Sequence, residues 1–138
     1  MTTPNEAADA ILNRFLDNYT GIANSRIVMQ NENEEFKDNS TTPWARVSVL
    51  DQVRGQETMG KTGNRKYRGM GQLFVQVYTA IDIGVKTGDD LAKEALDLFE
   101  GVSFSDLDFN NGIIRRTGPD GKWYQHVVEV DFDYEEIK

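Results

Sequence analysis

G-Q-E-T-M-G-K-T, Gly55 to Thr62, runs on into G-N-R-K-Y-R-G-M-G, Gly63 to Gly71, and then into Q-L-F-V-Q-V-Y, Gln72 to Tyr78. The first eight residues satisfy G-x-x-x-x-G-K-[ST], the pattern of a phosphate-binding loop. Such a loop must open a helix, because free backbone N–H groups and the helix dipole bind the anion there. The residues after Thr62 include Gly63, Gly69 and Gly71 and no apolar side chains at helical spacing, and from Gln72 the chain alternates as a strand does. No helix can be built from it. The stretch therefore reads as a long basic hairpin loop between two antiparallel strands. The competing reading, a nucleotide-binding fold using Gly55, Gly60, Lys61 and Thr62, lacks the helix that it needs.

The flanking residues support the hairpin. Before it, W-A-R-V-S-V-L-D-Q-V, Trp44 to Val53, places Ala45, Val47 and Val49 on one face and Arg46, Ser48 and Leu50 with Trp44 on the other. After it, Leu73, Val75 and Val77 oppose Phe74, Gln76 and Tyr78. Further out, Thr3, Pro4 and Glu6 form a helix start, and Ala8, Leu12, Phe15 and Tyr19 with Ala7, Ile11 and Leu16 make one apolar stripe. Gly21 ends that helix, a short strand spans Ser25 to Gln30, and the polar residues 31–43 form a second exposed loop. A second helix begins at Thr87-Gly88-Asp89-Asp90 with Thr87 as its cap. It buries Leu91, Ala92, Ala95, Leu96, Leu98 and Phe99, and Gly101 serves as a left-handed C-terminal cap. A closing hairpin pairs Gly112 to Thr117 with Lys122 to Tyr134 across a turn at Gly118-Pro119-Asp120-Gly121. With two helices for so many strands, the expected class is α+β: a mainly antiparallel, mixed sheet with two helices on one face and long loops between strands, in a single domain over residues 1–138.

Composition narrows the function. The 138 residues contain no cysteine, which removes disulfides, thiolate zinc sites and cysteine nucleophiles. No apolar run reaches membrane-spanning length, and the N-terminus lacks a signal peptide's basic start and apolar stretch, so a chain with no membrane partner is expected. A net charge of −8 argues against a general or sequence-specific nucleic-acid binder. The distribution says more than the sum. Arg54, Lys61, Arg65, Lys66 and Arg68 cluster in the glycine-rich stretch with Glu57 as the one acid, whereas Glu129, Asp131, Asp133, Glu135 and Glu136 crowd the final strand. Such division favours like subunits meeting face to face or one oppositely charged partner.

No residue set points to chemistry, and neither a catalytic group, a cofactor nor a metal is expected. His126 is the single histidine and sits mid-strand with Tyr124, Val128 and Val130, a position that reads as sheet surface or partly buried packing. Glu129, Asp131 and Asp133 share one strand face at spacings of about 6.5 to 7 Å, too wide to share a proton or chelate one ion. The strand aromatics Trp44, Phe74, Tyr78, Trp123, Tyr124, Phe132 and Tyr134 read as core and cross-strand packing.

Taken in order, P-W-A-R-V-S-V-L, R-K-Y-R-G-M-G-Q-L-F-V-Q-V-Y, D-D-L-A-K-E-A-L-D-L-F and P-D-G-K-W-Y-Q-H-V-V-E-V-D-F resemble the phage tail terminator family over nearly the whole chain. That resemblance implies a structural virion protein without enzymatic activity. It would cap the tail tube as a hexameric ring, end its polymerisation and present the surface for head attachment. Its implied partners are further copies of itself, the tail tube protein and a head-completion protein. Its implied place is the head-proximal end of the tail, reached by assembly in the host cytoplasm. The contacts expected to build the ring or dock it on the tube join the basic residues Arg54, Lys61, Arg65, Lys66 and Arg68 to an acidic surface such as Glu129, Asp131 and Asp133.

Overall fold

A strand that buries every second side chain needs partners whose inward residues fall in register, and the two strands beside the glycine-rich stretch provide this for each other. The computed structural model describes residues 4–22, 27–29, 43–81, 85–104, 107–120 and 123–137. Strand β2 (Trp44–Gln56) runs antiparallel to β3 (Lys66–Ala80), with Ala45 opposite Val77 and Val47 opposite Val75. On its other side β3 pairs antiparallel with β6 (Trp123–Ile137), Val75 facing Val128 and Leu73 facing Val130. Strand β1 (Ile27–Met29) lies parallel to β2, β5 (Leu107–Asp120) antiparallel to β6, and β4 (Ser103–Phe104) antiparallel to β5. The sheet order is β1-β2-β3-β6-β5-β4, a mixed and mainly antiparallel sheet.

Helices α1 (Pro4–Asn18) and α2 (Lys86–Phe99) cover one face of this sheet. Helical spacing puts Ala7, Ile11 and Phe15 of α1 and Ala92, Ala95, Leu96 and Phe99 of α2 on the buried side, against Val47, Leu73, Val75, Val128 and Val130. Aromatic rings continue this core along the sheet, Phe99 lying 5.2 Å from Phe109 and Phe109 5.7 Å from Phe132 between centroids. The helices are also tied directly. The Tyr19 hydroxyl donates to the Leu91 carbonyl at 2.9 Å, and the Glu94 carboxylate accepts from the Thr20 hydroxyl at 2.7 Å and the Gly21 N–H at 2.8 Å. Burial, with the nearby Glu94 charge, pushes the Tyr19 phenol well above its ordinary pKa. On the opposite face Val28, Trp44, Tyr78 and Trp123 make a smaller cluster in which Trp44 stacks on Tyr78 at 4.1 Å.

The expected class and both helix faces match this architecture; four local readings change. Strands β2 and β3 run far into the glycine-rich stretch, leaving only residues 57–65 as a connection. Helix α2 starts one residue before Thr87, its N-cap is Val85, and no side chain caps it, while Gly101 does take the left-handed conformation at φ 71°. In the closing hairpin, pairing continues to Asp120 opposite Trp123, and Gly118 (φ 101°) marks a bulge inside β5 rather than a turn; Gly121 and Lys122 fall outside the described residues. Pro119 is tolerated there because β4 pairs only with the start of β5, so this part of β5 is a sheet edge. Thr3 and the polar stretch 31–42 fall outside the described residues.

The fourth change concerns His126, whose packing is complete rather than partial: it is fully buried. Its ring lies against Gly88 at the start of α2, where even a methyl group would collide with it. His126 Nε2 lies 3.0 Å from Asp89 Oδ1, and Arg116 grips the same carboxylate at 2.6 and 3.1 Å. Arg116, then His126, holds the Asp89 pKa below the usual carboxylate range. A depressed folded-state pKa contributes stability above the unfolded value and loses it as pH falls through the folded one. Asp89→Ala leaves His126 with no described hydrogen-bond partner and should cost about 1–3 kcal/mol at pH 7. In urea titrations the gap to the native chain should shrink below the ordinary carboxylate pKa; a gap independent of pH would contradict the assignment.

Candidate assembly interface

The basic stretch is an arm, and its shape is set by where strand pairing stops. Strand β5 first meets β6 at Leu107 opposite Tyr134, so beyond that point only β2, β3 and β6 continue. They form a three-stranded extension in which Arg54 faces Gly69, Gly55 faces Arg68, and Lys66 faces Ile137. Gly69 and Gly71 are strand residues here, each roofed by an aromatic ring. A Cβ on Gly69 would collide with the Tyr134 ring, and one on Gly71 would stand 2.7 Å from Phe132 and 2.5 Å from the Leu50 carbonyl oxygen. Glycine in these positions marks close approach. With Gly69 lacking a side chain, Tyr134 crosses it and its hydroxyl accepts from Arg54 Nη1 at 3.1 Å.

The basic residues divide into two groups. Three line the shaft and meet carboxylates of the same chain: Arg54 with Glu136 at 2.7 Å, Lys66 with Glu135 at 2.9 Å, and Arg68 with Asp133 at 3.0 Å. Glu57 adds longer contacts to Arg68 at 3.5 Å and Lys66 at 3.8 Å. Each shaft cation is raised in pKa by its carboxylate, Glu136 for Arg54, Glu135 for Lys66 and Asp133 for Arg68. Exposed pairs of this kind are individually weak, and their effect is to orient the arm. Lys61 and Arg65 form the second group, at the tip. The Lys61 carbonyl accepts from the Asn64 N–H at 2.9 Å, closing a turn whose third residue, Gly63, has φ 96°, as a type II turn requires. Arg65 Nε donates to the Gly60 carbonyl at 2.9 Å. Among the described residues neither tip cation lies within ion-pair range of a carboxylate.

This geometry does not support a phosphate cradle. Gly55 belongs to β2, while Gly60, Lys61 and Thr62 belong to a turn that leads into β3, so no helix N-terminus stands behind the lysine. The acidic strip of β6 keeps its common face, but its members are engaged locally. Glu129 meets Arg115 at 3.4 Å, Asp131 accepts from Gln72 at 2.8 Å, and Asp133 takes Arg68 together with Asn110 at 3.3 Å. Among the described residues no three His, Cys, Asp or Glu side chains are grouped to hold a metal ion, and no helix is long and apolar enough to cross a membrane.

Two features have no counterpart in the sequence reading. Met59, at the arm tip, is 97% exposed. Its signal, an apolar residue isolated in a polar loop, is masked because it occupies an unspecified position of the G-x-x-x-x-G pattern. The other is a notch beside the arm's base, lined by Ser103, Phe104, Leu107, Asp108, Asp133, Tyr134 and Glu135. Its residues come from β4, β5 and β6, so only the sheet order brings them together.

A family model described as phage tail terminator protein matches residues 6–131. A solved structure that carries only a sequence identifier for a name superposes with a TM-score of 0.64, covering 100% of this chain and 99% of its own at 17% identity, a likeness of fold. Among curated proteins none matches.

Proposed function

The chain belongs to the phage tail terminator family, a structural component of phage tails, and from that premise we propose that it caps the tail tube, ends its polymerisation and presents the surface on which the head is joined. It does so as a ring, six copies being what the family resemblance implies, at the head-proximal end of the tail after assembly in the host cytoplasm. The tube protein lies on one side and a head-completion protein on the other. The role needs no bond-making chemistry, cofactor or metal.

The observation that carries this reading is the arm. Ion pairs join the strands of its shaft and an aromatic ring roofs Gly69, while its tip presents an exposed Met59 beside Lys61 and Arg65. A strand-built projection whose end cations meet no carboxylate among the described residues, on a chain of net charge −8, serves a contact with something else. Rings arise from heterologous contacts, in which one patch meets a different patch on the next copy.

Electron microscopy of the purified protein mixed with isolated tail tubes tests the reading. One end of each tube should acquire a ring of added density, and capped tubes should not lengthen when free tube subunits are supplied. Tubes with two bare ends that extend at an unchanged rate would overturn it.

A further inference from the structure

We propose that the arm tip, Met59 with Lys61 and Arg65, seats in the notch of a second copy of this chain, Met59 entering against Phe104 while the two cations meet Asp108 and Glu135. The inference rests on the ring reading and identifies the two patches that would make its repeating contact.

Charge selects this occupant. The notch carries Asp108, Asp133 and Glu135 on its rim and no lysine or arginine in its lining. Asp133 and Glu135 are each engaged by one shaft cation, whereas the one described hydrogen bond to Asp108 comes from the Ser103 hydroxyl, at 2.7 Å. The notch is thus left negative, and the tip, which has no acid between Met59 and Arg65, is left positive. Shape agrees with charge: the notch lining includes the partly exposed ring of Phe104, and methionine is the unbranched, adaptable side chain suited to an irregular apolar gap. Placement agrees as well. In the order β1-β2-β3-β6-β5-β4 the arm tip connects β2 to β3, whereas the notch is built by β6 with β5 and β4. Two different patches, built by different strands, are what a head-to-tail contact requires.

The absence of cysteine makes a direct test clean. A chain carrying both Met59→Cys and Asp108→Cys, oxidised in the presence of isolated tail tubes, should give a ladder of covalent oligomers on a non-reducing gel. An equimolar mixture of the two single variants should stop at dimers. A Met59→Cys, Asp17→Cys control places its second thiol on the exposed side of α1 and should give no ladder. All three positions are exposed, so folding is not at stake. A second readout is charge exchange: Lys61→Glu with Arg65→Glu should weaken self-association by about tenfold or more at low salt, and adding Asp108→Lys should restore much of it. Rings on the tubes without a ladder, or a ladder no stronger than the control, would overturn this contact and leave the ring reading standing. Neither rings nor ladder would overturn both.

Discussion

Phe99→Ala should lower the stability of this protein by about 3–5 kcal/mol, the range for emptying a fully buried aromatic position. The side chain has no exposed surface and ends the buried face of α2, with Phe109 at 5.2 Å, Phe104 at 6.4 Å and Phe15 at 6.5 Å between ring centroids. It thus joins α2 to α1, to β4 and to β5 at once. Neighbours on three sides cannot all relax inward, because Phe109 is itself packed on Phe132 and Phe15 on Tyr19 at 4.6 Å. A chain of this size has roughly 5–15 kcal/mol in total, so the loss removes a large share of it. Urea titration followed by circular dichroism would read the change as a shift of midpoint at constant slope. A shift worth under about 1 kcal/mol would mean that α2 is not clamped as described. Because Asp89 on α2 holds His126 and Arg116, loosening this helix should also remove the pH-dependent part of the stability.

The elements themselves were legible in the sequence wherever side chains repeat with a period. The stripe through Ala7, Ile11 and Phe15, and the alternation of Leu73, Val75 and Val77 against Phe74, Gln76 and Tyr78, each fix a face without knowledge of any partner. The order of those elements sufficed for the α+β class. What sequence could not show lay where the reason for a residue is a distant neighbour. Gly69 and Gly71 read as loop glycines because the rings that fill their places, Tyr134 and Phe132, come from the far end of the chain. The basic cluster read as one patch because strand register alone decides that Arg54, Lys66 and Arg68 find carboxylates on β6 while Lys61 and Arg65 do not. The notch had no local signature, since three strands build it.

Gly71→Val turns that difference into a measurement. If Gly71 lay in a solvated loop, the substitution would change stability by no more than about 0.5 kcal/mol. In β3 it faces Phe132 on one side and Asp51 on the other, beside a register shift between Asp51 and Val53. An added Cβ would stand 2.5 Å from the Leu50 carbonyl oxygen, a backbone atom that cannot swing aside, and 2.7 Å from a ring that is itself buried. Overpacking commonly costs about 1–3 kcal/mol, and a branched side chain against backbone belongs at the upper end, about 3 kcal/mol. Gly71→Ala should cost less, and pairing it with Phe132→Leu should recover part of the loss, since residues in contact couple by about 0.5–3 kcal/mol. Position 71 lies at the base of the arm, so the strain should spread to the register that sets Arg68 on Asp133 and Arg54 on Glu136. On the ring reading proposed above, oligomer formation by the variant should then fall below that of the native chain, even under conditions that keep the variant folded. A valine variant with an unchanged unfolding midpoint would return these glycines to a loop and remove the strand-built arm on which the proposed contact depends.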